Sequence, residues 1–461
     1  MQYYKNRHLI MINFVIVFGW IMSFPYEGPV MYAMIYEKGL DGIFLNRVTV
    51  FFVFLGLFTG RFISKDIVSA KKVITVCTGM ALVISLFVPF IPIHIWNYLI
   101  PFLAFITGIV LSVHGYMIKG YILAKSRSRM VADVLIYANV MLVAAHILAN
   151  NTSPLFSYII IEVLLIVAFV AALHINTNEK LVRTLLYETG KETSIKSYWI
   201  LFLFIFVITI NSGIMFQVIY PYFSQFTVLT SIYTNIPYIL AIYLLSRIYK
   251  KCKFYLLYVG LALWGITFIL FAFMGQTALG FIIICSTMLF AAGIFDLFWW
   301  SVMANNFDNV KSPSSLFGLG LSINVLGVWV GGVIGNALVS LGANKEALSF
   351  MGLFVVVISM LIIVPLNNKL SSQLEYNEFI VEISYIEKND MRKFTNDAKE
   401  LLSKRERQVF DLLIKGKTDT EISKILYITH HTIKTHNRSI YKKLNVSNRI
   451  ELIDKIVEAS N

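Results

Sequence analysis

Charge is what this chain has least of. Only 14% of its 461 residues are Asp, Glu, Lys or Arg, against 57% hydrophobic residues, and the mean hydropathy is +0.72. Soluble proteins carry roughly a quarter of their residues charged, so an ordinary soluble enzyme is excluded and most of the chain belongs in a membrane. Cysteine is scarce too. Cys77, Cys252 and Cys285 fall in or beside apolar segments, without CxxC spacing or a nearby His cluster, which excludes a disulfide framework and a zinc centre. The adjacent His430 and His431 read as surface residues at a helix start rather than as metal ligands. Catalytic signatures are also missing. There is no Ser-His-Asp order, metal-spaced His cluster, P-loop or dinucleotide fingerprint in a plausible context, so neither an enzyme nor a cofactor is expected. The first apolar run follows Lys5 and Arg7 and passes Trp20 to Pro25 without a small-residue cleavage site. It reads as a retained transmembrane helix.

What is present falls into three parts, expected at 1–368, 369–398 and 399–461. Up to about Leu366 the sequence holds twelve apolar segments, each near the length of about 20 residues that crosses a bilayer. The first runs over 9–34 and the last over 347–366. Basic residues fall in alternate connections: Lys5 and Arg7, then Lys65, Lys71 and Lys72, then Lys125, Arg127 and Arg129, then Lys180, Arg183, Lys191 and Lys196, then Lys250, Lys251 and Lys253, then Lys311. The opposite connections offer little beyond Lys38 and Lys345. By the positive-inside rule the N-terminus is cytoplasmic, and an even number of crossings of the cell membrane returns the C-terminus to the same side. A polar stretch from Asn176 to Ser197 divides the segments six and six. From Asn367 to about Lys399 the sequence turns polar and charged, as a linker does, with room for a short helix or strand around Phe379 to Ile386.

The stretch from Leu402 to Ile456 reads as four short helices. Ser403 with Glu406, and Thr418 with Glu421, are capping boxes, and Gly416 closes the first helix. Ile422, Ile425 and Leu426, then Ile433, Ile440 and Leu444, recur at helical spacing and are expected to face a shared core. Tyr427 and Ile428 make the short link of a helix-turn-helix, and Thr429 caps the next helix. The opposite face of that helix carries Lys434, Thr435, Arg438 and Lys442, with no acidic residue between Thr429 and Leu444. Such a face suits a DNA major groove, where phosphates repel carboxylates and Lys or Arg donate to guanine edges.

The runs R-E-R-Q-V, G-K-T-D-T-E-I-S, I-T-H-H-T-I-K-T-H and I-Y-K-K-L-N-V-S-N-R resemble the LuxR/NarL (GerE-type) DNA-binding domain over all four helices. The resemblance implies that Lys434, Thr435 and Arg438 touch base edges of double-stranded promoter DNA. It implies that Thr432, His436, Lys442 and Lys443 sit near phosphates or help position the helix. The last helix, with Ile450, Ile453, Ile456 and Val457, is implied to be the contact of a homodimer on DNA. Ser423 replaces the usual Ala, and Asn445 the usual Gly, Asn being the next-best residue for a left-handed backbone. The six-and-six membrane layout resembles the major facilitator superfamily. The connections G-R-F-I-S-K-D-I-V-S-A-K-K and L-S-R-I-Y-K-K stand where that superfamily carries its G-x-x-x-D-R-x-G-R-K loop. Ser64 and Ser246 replace the loop acid and the loop glycine is absent, which argues against alternating access.

The fold expected is therefore all-α: a twelve-helix transmembrane bundle followed by a cytoplasmic four-helix LuxR-type domain. Polar groups within a bilayer are costly and call for a partner or a purpose. The superfamily layout implies that helices 1, 4, 7 and 10 line a cavity, and each carries such groups: Glu27, His114, Asn211 with Gln217, and Asp296 just before Trp299 and Trp300. These are the candidate contacts for an unidentified small-molecule ligand. Asn211 or His114 serves equally well as a hydrogen bond to a neighbouring helix, Arg47 is a candidate partner for Glu27, and Asp133 and Glu162 read as helix-end or packing residues. No phosphorylatable receiver domain precedes the head, so any signal has to come through the membrane part. The leading expectation is a membrane-bound one-component transcriptional regulator. The alternative is a transporter whose fused head regulates its own expression.

Overall fold

The computed structural model describes residues 2–26, 28–38, 43–177, 194–226, 229–230, 233, 235–248, 253–383, 400–414, 419–446 and 452. The chain divides into two compact units, Met1–Leu366 and Asn367–Asn461. No strand occurs among the described residues.

The first half of the membrane unit comprises α1 (Gln2–Ser23), α2 (Pro29–Glu37), α3 (Ile43–Ile63), α4 (Ile67–Phe87), α5 (Ile93–Tyr121), α6 (Ala124–Asn151) and α7 (Pro154–His174). The second half comprises α8 (Trp199–Ile214), α9 (Ile236–Ile248), α10 (Lys253–Phe273), α11 (Ala278–Asn305), α12 (Pro313–Ser340) and α13 (Lys345–Ile383). Ten helical stretches among the described residues are long and apolar enough to cross a membrane. The two other expected segments hold α3 and the shorter apolar α9.

The sequence sets many of the helix starts. Ser153 and Ser312 cap α7 and α12 with Pro at the first helical position, and Thr277 caps α11 by accepting from the Gly280 N–H. The expected single segment over 9–34 is broken: α1 ends at Ser23 and α2 begins at Pro29. Pro25 and Pro29 each remove an N–H and push the preceding residue out of helical geometry. Gly28 allows the chain to return tightly, since a Cβ there would lie 2.3 Å from the Ser23 carbonyl carbon.

Close backbone approach also joins α8 to α12. A Cβ on Gly331 would stand 2.0 Å from the Ile210 carbonyl oxygen. Small residues at this seam let the two helices touch along their backbones, which is where van der Waals attraction between membrane helices is strongest. Beyond Gly213 the helix widens into a π turn over Met215–Ile219, which contains Gln217. At the far end of the unit, α13 continues through Pro365 and past Leu366 to Ile383, into the stretch read from sequence as a linker.

The second unit contains α14 (Lys404–Ile414), α15 (Asp419–Leu426) and α16 (His430–Lys443). Its core is Leu402, Val409, Phe410, Leu413, Ile422, Ile433, Ile440 and Leu444, joined by Val446 and Leu452. Burial of each large apolar side chain stabilises by about 1.5–3 kcal/mol before chain entropy is counted. Ile425 departs from expectation, being 46% exposed. On so short a helix the core stripe runs from Ile422 to Leu426, and Ile425 falls outside its edge. Gly416, Thr418 and the dimer candidates Ile450, Ile453, Ile456 and Val457 lie outside the described residues.

Candidate nucleic-acid interface and transmembrane site

The recognition surface is built from α16 outward. Ile433, Asn437, Ile440 and Leu444 point inward, so Lys434, Thr435, Arg438 and Lys442 are exposed. Lys434, Arg438 and Lys442 recur every fourth residue and form one cationic stripe. The helix starts where expected: Thr429 accepts from the Thr432 N–H at 3.2 Å. The turn before it depends on Tyr427, whose φ of 53° is left-handed, and Asn445 closes the helix at φ 52°.

The stripe is held in place by polar contacts, of which the sequence reading found the Ser403–Glu406 capping box and missed the others. Ser403 and Glu406 form their capping box, with the Ser403 N–H donating to Glu406 at 2.8 Å. Glu406 then reaches across to α16, accepting from Ser439 Oγ at 2.6 Å and from Lys443 Nζ at 2.7 Å. Asn437 Nδ2 donates to Asp419 at 2.9 Å, and Arg405 to the Leu426 carbonyl at 2.9 Å. Lys443 is thereby engaged in positioning the helix. The Thr432 hydroxyl lies 2.8 Å from that of Thr429 in the cap, and His436 is half-buried.

In the membrane unit the candidate ligand contacts do not converge on one point. Glu27 lies outside the described residues. Asn211 is buried and donates to the Gly352 carbonyl on α13 at 3.3 Å. His114 is also buried, with Nδ1 2.7 Å from the Val110 carbonyl and Nε2 2.9 Å from Asn13 Oδ1. Gln217 accepts from Asn336 Nδ2 at 3.1 Å and lines a crevice with Arg47, Trp329 and Val50. Asp296 and Trp300 stand one turn apart on α11, and Phe14 stacks between His114 and Trp300 at 4.4 and 6.0 Å. Glu162, read from sequence as a helix-end or packing residue, is the second of these, in the middle of α7. It is buried and accepts from Trp20 at 2.8 Å and Ser85 at 2.6 Å.

One end of the bundle is closed by polar contacts between the halves. Arg127, only 3% exposed, makes a two-pronged ion pair with Asp308 at 2.6 and 3.0 Å. It also donates to the carbonyls of Lys119, Ile122 and Ala304. Around it, Asn305 donates to Ser128 at 3.0 Å, Ser315 to the Arg61 carbonyl at 2.9 Å, and Ser64 to Ser314 at 3.1 Å. Ser64, the position where the facilitator loop has its acid, thus bridges the halves without charge. Its counterpart Ser246 donates to the Tyr243 carbonyl within its own helix.

A helix-turn-helix domain with a cationic recognition face, joined to a two-halved bundle of apolar helices, defines a DNA-binding multi-pass membrane protein. Residues 400–456 match the bacterial regulatory protein luxR family, GerE. The chain is 36% identical to the spore germination protein GerE of Bacillus subtilis over 67 residues, covering 14% of this chain and 90% of GerE. It is 46% identical to the transcriptional regulatory protein LiaR of B. subtilis over 52 residues, and 37% identical to the oxygen regulatory protein NreC of Staphylococcus carnosus over 60 residues. These matches cover 11% and 13% of this chain, and the chain spans only 25% of LiaR and 28% of NreC. Through this domain the chain belongs to the luxR family.

The membrane unit has the major facilitator fold. The human organic anion transporter MFSD10 superposes with a TM-score of 0.58 at 13% identity, over 78% of this chain and 99% of that one. The major facilitator transporter FucP in its outward conformation gives 0.57 at 11% identity, over 79% and 99%.

Proposed function

We propose that the protein is a one-component transcriptional regulator of the cell membrane and not an enzyme. Its membrane unit senses a small molecule, and its head binds promoter DNA. The observation that carries this reading is the acid-free, exposed stripe of Lys434, Thr435, Arg438 and Lys442 on α16. The basic connections support cytoplasmic placement of both termini, since positive residues stay on the side where DNA lies. Domain limits of 1–368, 369–398 and 399–461 fit this division of labour. Ligand shifts an equilibrium between membrane-unit conformations by its differential affinity for them. That shift sets whether two heads pair through Ile450, Ile453, Ile456 and Val457 on a two-fold site. Pairing raises apparent affinity by orders of magnitude without new contacts.

Lys434, Thr435 and Arg438 are assigned to base edges; Thr432, His436 and Lys442 to phosphates or the helix start; Lys443 to positioning. The test is binding of residues 390–461 to an array of promoter fragments. Lys434→Ala and Arg438→Ala each remove about 1–3 kcal/mol of discrimination between sequences. Lys442→Ala weakens all sequences alike and lowers the salt slope by about one. Unchanged sequence preference in the first two variants overturns the base-reading assignment.

A second reading, a transporter with a fused regulatory head, is favoured by the fold of the membrane unit. The seal at one end and the uncharged Ser64 contact favour the sensor.

A further inference from the structure

Asp296 differs from the other acids of the membrane unit. Its face of α11 is fixed by Trp300, one turn away, whose ring meets Phe14 at 6.0 Å and Phe18 at 5.4 Å on α1 of the opposite half. Phe295, Leu297, Phe298, Trp299 and Trp300 are all at most 2% exposed, yet Asp296 among them is only half-buried. Part of this residue's surface therefore stays uncovered among neighbours that are closed off. On α1, the half-buried residues Met11, Val15, Phe18 and Met22 recur at helical spacing, and Phe18 is the one of them that meets Trp300.

Among the described residues Asp296 has no counter-ion. Its two oxygens accept from neutral donors, Tyr238 Oη at 2.8 Å and Trp299 Nε1 at 3.0 Å. Among the described residues no Lys, Arg or His reaches it. A carboxylate accepts about four hydrogen bonds, so two positions remain. By contrast, Asp308 is paired with Arg127, and Glu162 is closed off at 3% exposure. A negative charge within a membrane is costly, and a cation bound beside it lowers that cost. The ring of Trp300, one turn away, and that of Phe18 against it offer apolar faces that also attract cations.

We propose that Asp296 anchors a site for an organic cation, an amine or quaternary onium group on an apolar body. The proposal rests on the sensing role given above to the membrane unit, and it names the ligand's chemical class. Tyr238 and Trp299 hold the carboxylate in place, and Phe18 with Trp300 forms the wall against the ligand's apolar part.

The test uses the full-length protein in lipid nanodiscs without DNA. Equilibrium binding of tritiated tetraphenylphosphonium is measured, with tetraphenylborate as an anion of the same shape. Saturable binding of the phosphonium is expected, with little competition from the borate. Asp296→Asn preserves the shape of the side chain and should weaken binding at least about tenfold, the scale of losing a charged partner. Asp296→Glu should keep saturable binding, and it carries the test if the Asn variant does not fold. The proposal is overturned if native protein shows no saturable phosphonium binding, if the borate competes equally, if a folded Asn variant binds as tightly as native, or if the Glu variant folds but does not bind. Intact Asp296-dependent binding that leaves promoter affinity unchanged would instead overturn the regulatory reading and leave the cation site standing.

Discussion

Glu406 is the residue on which the head's geometry turns. Burial alone would raise its carboxyl, but hydrogen bonds from Lys443, Ser439 and Ser403 outweigh burial and hold it down at about 2, against an ordinary 4.5. Because the folded pKa lies below the ordinary one, the folded head binds fewer protons there. The stabilisation is complete above pH 4.5 and is lost as the pH falls towards about 2. Melting of residues 390–461, followed by circular dichroism from pH 7 to pH 2, should show stability falling through that window. Glu406→Gln should lower the melting temperature at pH 7, at a cost of about 1–2 kcal/mol, and flatten the fall. An unaltered pH profile would place the acid sensitivity elsewhere. Half of this network was legible beforehand, because the capping box is local. The reach of Glu406 to Lys443, 37 residues away, was not, because it depends on how α14 packs on α16.

At the scale of elements, the seal between the halves sets what the membrane unit can do. The end of α5 and the start of α6 meet the end of α11 and the start of α12 around Arg127 and Asp308. Removing one partner of a buried ion pair leaves the other charge stranded, at a cost on the order of 3–5 kcal/mol, less here because Asp308 is 25% exposed. Arg127→Gln should therefore loosen this end. The measurement is disulfide formation between Ser64→Cys and Ser314→Cys, whose hydroxyls lie 3.1 Å apart, with Cys77, Cys252 and Cys285 replaced by Ser. High cross-linking is expected in the parent and a several-fold lower rate with Arg127→Gln. Equal rates would show that the ion pair does not hold the halves. From the sequence, Arg127 reads only as one of the basic connecting residues, since Asp308 lies 181 positions away.

For the whole molecule, the question is whether this major facilitator fold carries a molecule across the bilayer. Alternating access requires the closed end to open in every cycle. Here that end is held by a two-pronged buried ion pair, carbonyl contacts and close serine packing. In proteoliposomes without a membrane potential, tetraphenylphosphonium should bind saturably and exchange no faster than through protein-free liposomes. Exchange above that background, abolished by Asp296→Asn, would establish the transporter reading. Binding without exchange leaves the free energy of the ligand available to shift a conformational equilibrium, as a sensor requires.

The sequence by itself determined the helical class, the division between membrane unit and head, and the acid-free face of α16. Each follows from local rules: apolar length, capping chemistry and the spacing of charge around a helix. Only the tertiary structure decided which intramembrane polar groups are closed off by packing and which stay partly exposed. Asn211 and Asp296 are both lone polar residues on apolar helices in sequence. One is buried against the carbonyl of Gly352, and the other accepts from two neutral donors and stays half-buried. That distinction depends on neighbours far away along the chain, because in a bilayer the partner of a polar group is set by helix packing and not by adjacent residues.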